Sequence, residues 1–336
     1  MTRPHSRRSW RLLLVAFLAV ATLTGCGLPQ RLAGVSPAPE QVATVAPLGA
    51  DHATRIAARV LDAADEADRK SGDAAAAARQ AVLTGTALAA ANGRVAMGTA
   101  TPSSAQLSRP EPPKLLAMSR GQAFPRLLLA TNQDPQSRRQ YLDLLVSPQV
   151  TAPFKLSYRV PMMAGASLPA TGDVGRGIPM VAADNATGLV LSPKAAVEGY
   201  AAALGTPDPS VGEHIDAGDS FATALKASQS TQSSALGSLA SLKQTHTLAP
   251  DTLYAVRLAG GDVLVFAQLD RADVITASAN TKELKVPEAL QKLTGSATAT
   301  SSMTINAVEA VALLIPAQGK VKLLGATDQL VSGSVQ

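Results

Sequence analysis

The sequence predicts an α+β chain of two successive halves, each a pair of helices followed by a curved antiparallel sheet. Helical periodicity is confined to two blocks, near residues 51–92 and 192–243. Alternating or continuous apolar runs follow each block, and glycine- or proline-bearing turns of hairpin length join those runs. Strands joined by tight turns run antiparallel, and helices segregated from them cover one face of the sheet.

A leader precedes the folded part. Arg3, Arg7, Arg8 and Arg11 stand before the apolar run Leu12 to Ala21, and Leu23-Thr24-Gly25-Cys26 closes it. A basic head, a short apolar segment and small residues before a cleavage point predict a secretory signal peptide over 1–25. The run is shorter than the roughly 20 residues a membrane helix needs. Leu23, Thr24 and Gly25 before Cys26 resemble the lipobox of bacterial lipoproteins, in which the cysteine thiol receives a diacylglycerol and becomes the mature N-terminus. Residues 26–50 would then be the lipidated cysteine and a flexible tether, with Pro29, Pro37, Pro39 and Pro47 among small residues. Such a segment extends by roughly 3 Å per residue.

Removing the leader changes the charge argument. Four of the 30 Lys and Arg go with it, which leaves 26 basic against 25 acidic side chains. The remaining balance of +1 carries no basic footprint, so no nucleic-acid partner is expected. Cys26 is the single cysteine, which excludes an intramolecular disulfide and thiolate metal sites. Stability must come from apolar burial, for which 46% hydrophobic residues suffice.

The first half is placed at 51–163. Asp51 is a candidate cap, and Ile56, Val60, Ala63, Ala64 and Ala67 recur at helical spacing behind it. Ser71-Gly72-Asp73 separates a second helix, Ala74 to Val82. Thr84-Gly85 interrupts before a last piece, Leu88 to Asn92, with Asn92-Gly93 as its terminus. Residues 99–113 form a loop. Arg126–Thr131, Gln140–Val146 and Phe154–Val160 then read as strands; Phe154, Leu156, Tyr158 and Val160 alternate onto one face, as in a half-buried sheet.

A Gly/Pro-rich connector, 164–188, leads to the second half at 189–336. Ser192 caps a helix with Pro193 at its first position, and Val197, Tyr200, Ala201 and Leu204 form its stripe. A second helical region runs from Ser220 to Lys243. Leu253–Leu258 and Val263–Leu269 flank Ala259-Gly260-Gly261-Asp262 as a hairpin; Thr304–Ile315 and Lys320–Ala326 flank Pro316 to Gly319 as another. Pro287 opens a helical turn, Glu288 to Leu293. A helix pair leaning on a curved antiparallel sheet is the layout of cystatin-like and NTF2-like domains, which is the architecture expected for each half.

Several stretches resemble an actinobacterial lipoprotein family of unknown function. They are the lipobox at Cys26, Arg59-Val60-Leu61-Asp62-Ala63, the break Thr84-Gly85-Thr86-Ala87-Leu88, the start Leu191-Ser192-Pro193, and the hairpin from Leu253-Tyr254-Ala255-Val256 to Leu264-Val265-Phe266. The resemblance implies anchoring and fold, and brings no catalytic residues with it.

The residues offer no sharp chemistry. His52, His214 and His246 lack the partners of a metal-binding helix and read as surface residues. Asp62, Asp65, Glu66 and Asp68 read as an exposed helical face, with Asp65–Arg69 and Glu66–Lys70 as i,i+4 pairs. Asp208 and Asp216 to Asp219 lack the ligand spacing of a calcium loop, and Asp219 reads as a helix cap. Gly172 to Gly177 has no phosphate-loop lysine, and Ser192 near Lys194 is explained by capping. Asn185-Ala186-Thr187 matches a glycosylation acceptor by spelling only. Met162, Met163 and Met180 read as packing, and Arg138-Arg139 is too small a cluster to define an anion site.

The expected protein is therefore a membrane-anchored extracytoplasmic lipoprotein of the cell envelope, non-catalytic and without a cofactor. Its partners would be the membrane, through the lipid on Cys26, and an envelope protein or small molecule. A lipid or glycolipid carrier with an apolar cavity is one alternative. An envelope hydrolase whose site converges only in three dimensions is another.

Overall fold

The computed structural model describes residues 45–70, 73–98, 112–134 and 137–336. The expected signal peptide, with Leu23, Thr24, Gly25 and Cys26, and most of the expected tether lie outside the described residues. So does most of the stretch 99–113, expected as a loop. No helix among the described residues is long and apolar enough to cross a membrane. The chain is α+β with antiparallel open sheets.

Three helices come first: α1 (Ala50–Arg69), α2 (Asp73–Val82) and α3 (Gly85–Met97). Ala53, Ala57, Val60, Leu61, Ala64 and Ala67 are buried along α1, at the three- and four-residue spacing of one helix face. All of these but Ala67 share a core with Leu115, Leu128, Ala130 and Leu145 of the first sheet. Gly49, not Asp51, is the N-cap; Asp51 lies in the first turn, where an acidic side chain suits the exposed amides. The third helix is longer than the sequence suggests. It continues through Gly93 and ends at Gly98, which adopts the left-handed conformation (φ 62°).

The first sheet has the order β1 (Lys114–Met118), β2 (Arg126–Gln133), β3 (Gln140–Ser147), β4 (Lys155–Pro161), all antiparallel neighbours. Strand β1 has no counterpart among the expected elements. The expected single face of Phe154, Leu156, Tyr158 and Val160 is corrected by a bulge opposite Leu144/Leu145. An extra residue flips the alternation. Leu156 and Phe154 thus join the helix-facing core, while Tyr158 and Val160 point the other way. Nor is the sheet half-buried. Its far face, with Leu127, Leu129, Leu142 and Leu144, packs on Leu264, Phe266, Ala310 and Ala312 of a second sheet.

That second sheet follows α4 (Pro193–Leu204) and α5 (Ser220–Leu236). It comprises β5 (Ala240–Leu248), β6 (Tyr254–Arg257), β7 (Val263–Ala277), β10 (Ser302–Ile315) and β11 (Lys322–Val335), in the order β11-β10-β7-β5. β6 pairs with the start of β7 and β5 with its remainder, along the same edge. A small ribbon of β8 (Leu284–Lys285) and β9 (Thr298–Ala299) brackets α6 (Glu288–Thr294). The capping serine and Pro193 act as expected, with the Ala195 amide donating to Ser192 Oγ at 3.3 Å. The helix expected to reach Lys243 stops at Leu236. Ala240 to Thr247 alternates strictly between buried and exposed positions and is therefore a strand.

The layers thus run α1–α3, first sheet, second sheet, α4–α5. Tyr158 sits at the sheet–sheet junction, its ring 5.7 Å from Phe266 and 6.1 Å from Tyr254. Its hydroxyl donates to the Thr252 carbonyl.

Candidate functional site

The second sheet places polar residues on one face of four neighbouring strands, all of them buried except the exposed Asp328 on the edge strand. Gln244 and His246 lie on β5, Arg271 and Asp273 on β7, Glu309 on β10 and Asp328 on β11. The register sets His246 opposite Arg271, Gln244 opposite Asp273, and Glu309 opposite Asp328. They share the face of Leu269 and Val311 on one side and Ile275 and Ile305 on the other. A polar stripe therefore crosses the sheet between two apolar clusters, beneath α5.

The stripe is a connected network. His246 Nδ1 lies 2.8 Å from Glu309 Oε2, and its Nε2 lies 3.2 Å from Gln244 Oε1. Gln229, buried on α5, donates to Gln244 Oε1 and to the Leu204 carbonyl. Gln244 Nε2 donates to Asp273 Oδ1 at 2.5 Å. Arg271 Nη1 reaches Asp328 Oδ2 at 2.9 Å and Glu309 Oε1 at 3.3 Å. Its Nε lies 3.3 Å from Asp273 Oδ1 without making a hydrogen bond. Burial raises the Asp273 pKa against the opposing pull of Arg271 and the Gln244 amide. Burial works against the Arg271 charge too, but Asp273, Glu309 and Asp328 outweigh it and raise that pKa.

Beside the stripe opens a cleft of about 480 Å³. Leu236, Ile275, Val286, Leu290, Met303 and Ile305 wall it. Arg271, Asp273, Gln232 and Lys285 are its polar lining, and of these Lys285 is exposed. The volume falls in the range of about 300–1,000 Å³ typical of small-molecule sites, as does the mix of apolar walls with a few polar groups.

A second charged group forms between α1 and the first sheet. Arg159 Nη1 meets Asp65 Oδ1 at 2.5 Å, and its Nε meets Asp143 Oδ1 at 2.9 Å. Asp143 is fully buried, and burial raises its pKa although Arg159 opposes the shift. Arg94 pairs with Asp68 at 2.9 Å. The acidic face of α1 is thus only partly the exposed face expected. Glu66 does pair with Lys70, at 3.4 Å, but Asp65 and Asp68 turn inward to arginines distant in sequence.

The remaining expected positions fall as follows. His52 is exposed on α1, and His214 is half-buried with Nδ1 3.3 Å from the Gly319 carbonyl. His246 is the correction: it is buried, because its strand faces it into the sheet–helix core. Asp219 caps α5 by accepting from the Ala222 amide at 2.9 Å, and its other oxygen accepts from the Tyr200 hydroxyl. Asp216 accepts from the Gly218 amide, Asp173 from the Gly175 amide, and Asn185 from the Thr187 amide, so each closes a local turn. Met162 and Met163 pack against the cores, while Met180 is 40% exposed. No group of three or more His, Cys, Asp or Glu among the described residues is placed to hold a metal ion.

The stripe residues Gln244, Arg271, Asp273, Glu309 and Asp328 were not candidates in the sequence. A signal for two of them existed: Arg271 and Asp273 continue the alternation of Val263, Val265, Ala267 and Leu269.

A family model described as a domain of unknown function (DUF8094) matches residues 52–334. No curated protein matches the chain. No solved structure matches it either.

Proposed function

The chain belongs to the family described as a domain of unknown function (DUF8094), and we propose that it is an extracytoplasmic binding protein, lipid-anchored at Cys26, that takes the apolar part of a small amphiphile into the cleft beside α5. The cleft carries this reading: about 480 Å³ walled by aliphatic side chains, with few polar groups to orient a ligand. The leader Arg3 to Cys26 supports the anchor and an actinobacterial lipoprotein origin. A cystatin-like or NTF2-like reading of the second half fits the same picture, since α4 and α5 lean on the sheet and the cleft lies where α5 ends.

A non-catalytic role suits the wiring of the stripe. Both ring nitrogens of His246 face Glu309 and Gln244, and no hydroxyl or thiol among the described residues bonds to them. A general base for nucleophilic catalysis needs such a partner within hydrogen-bond reach. The anchor is tested by intact-mass analysis of the membrane-bound protein, where a diacylglycerol on Cys26 is expected and is lost in Cys26→Ala. The binding role is tested by native mass spectrometry of residues 27–336, exported from a related host. A reproducible adduct of lipid-like mass supports the proposal, and a clean unliganded mass from several preparations overturns it.

A further inference from the structure

Resting on the cleft as a ligand site, we propose that the ligand is an apolar chain ending in an uncharged or cationic hydrogen-bond donor, a hydroxyl or an amine, received by Asp273. Asp273 lines the cleft and is only 8% exposed. Its Oδ1 is occupied by the Gln244 amide and lies against Arg271 Nε. Its Oδ2 accepts no hydrogen bond from any described residue, and as part of the cleft lining it is left to accept one from a group that enters the cleft.

The surrounding charge excludes the opposite class. Arg271 is the one guanidinium of the stripe, and Asp273, Glu309 and Asp328 already surround it. Asp273 and Glu309, the two buried carboxylates, against one arginine leave the buried group with one negative charge in excess, to which Asp328, 45% exposed, adds only weakly. A carboxylate or phosphate entering this end would meet uncompensated like charge in a weakly solvated site. The other cation of the lining, Lys285, is solvent-exposed and screened. Burial also raises the Asp273 pKa, so a donor in the cleft relieves a carboxyl that lacks solvation.

The test uses the full chain in native membranes and four photo-reactive probes with one alkyl chain and different heads. The heads are a glycerol monoester, a primary amine, a carboxylate and a phosphate, and adducts are mapped by peptide mass spectrometry. Expected is labelling around Leu236, Ile275 and Met303 by the glycerol and amine probes, at least about tenfold above the two anionic probes. Asp273→Asn, checked for native unfolding behaviour, should shrink that ratio. Equal or stronger labelling by the anionic probes overturns the head-group assignment while the cleft stands as a site. Absence of cleft labelling by all four overturns both. The wild-type comparison decides the matter even if Asp273→Asn does not fold.

Discussion

His246 on β5 and Glu309 on β10 meet at 2.8 Å although β7 lies between their strands. The contact spans β7 over the helix-facing side of the sheet, at the level of Leu269 and Arg271. It fixes two non-adjacent strands to each other in a site where both side chains are excluded from water. Removing one member of such a buried group strands the others. Glu309→Ala should therefore lower unfolding free energy by about 3–5 kcal/mol. Glu309→Gln, which keeps hydrogen-bonding capacity, should cost only about 1–2 kcal/mol. Urea unfolding of both variants checks the order, and equal losses would show that shape rather than the charge network sets the stability here.

Arg159 does comparable work on the other side of the molecule. It joins α1 to β4 through Asp65, and β4 to β3 through the fully buried Asp143. Arg159→Ala should cost about 3–5 kcal/mol because Asp143 is left without its cation. Asp65→Ala should cost about 1 kcal/mol, since only the solvent-adjacent half of the pair is lost. A double variant, Asp143→Asn with Arg159→Ala, should be less destabilised than the two single losses added together. Additive losses in that cycle would refute the coupling.

The same aspartate predicts a pH dependence. Its pKa is raised in the folded protein, chiefly by burial, with Arg159 acting against the shift. The native state therefore holds this proton more tightly than the unfolded chain does. The resulting stabilisation is fully present below the unfolded value of about 4 and is lost as pH rises through the folded value. Wild-type stability relative to Asp143→Asn should accordingly fall as pH is raised from 4 towards 7. Urea midpoints of both proteins at several pH values measure the difference, and a difference that grows with pH would reverse the assigned sign.

Much of the architecture was legible because burial and period agree. The stripe of α1, the Ser192-Pro193 start and both glycine-bearing hairpins each follow from one local signal. What escaped has a shared physical cause: local pattern cannot show what a second layer covers. The expected helix ran on to Lys243 through the apolar positions Leu236, Leu239 and Leu242, yet Gln244 and His246 alternate inward with Ala240 and Leu242. Strand β7 looked complete at Leu269 because Asp270 to Asp273 is charged, yet Arg271 and Asp273 continue its inner face. The candidate site is made of these interruptions. Most of its contacts run between strands, so no single segment announces it. The flip at Leu156 likewise depends on a bulge set by pairing with β3.

Gly93 is the instance where a correct local rule gave the wrong meaning. Asn92-Gly93 has the form of a helix end, but α3 continues to Met97 and Gly93 is buried in its interior. Glycine there is explained by proximity to β11. An added Cβ would overlap the Leu330 carbonyl oxygen and approach Val331 Cγ1 to 2.9 Å. On helix propensity alone, Gly93→Ala should stabilise the protein by about 1 kcal/mol. The obstacle is backbone, which cannot rotate away as a side chain can, so α3 would have to lift from the sheet edge. The expected outcome is a net loss of about 1–3 kcal/mol, the range of core overpacking. Gly325→Ala should behave alike, since its Cβ would lie 2.6 Å from the Pro161 carbonyl oxygen where the two sheets meet. Thermal unfolding of the two variants, with an exposed alanine-for-glycine control at Gly260, measures the effect. A stabilised Gly93→Ala protein would mean that α3 does not sit this close to β11.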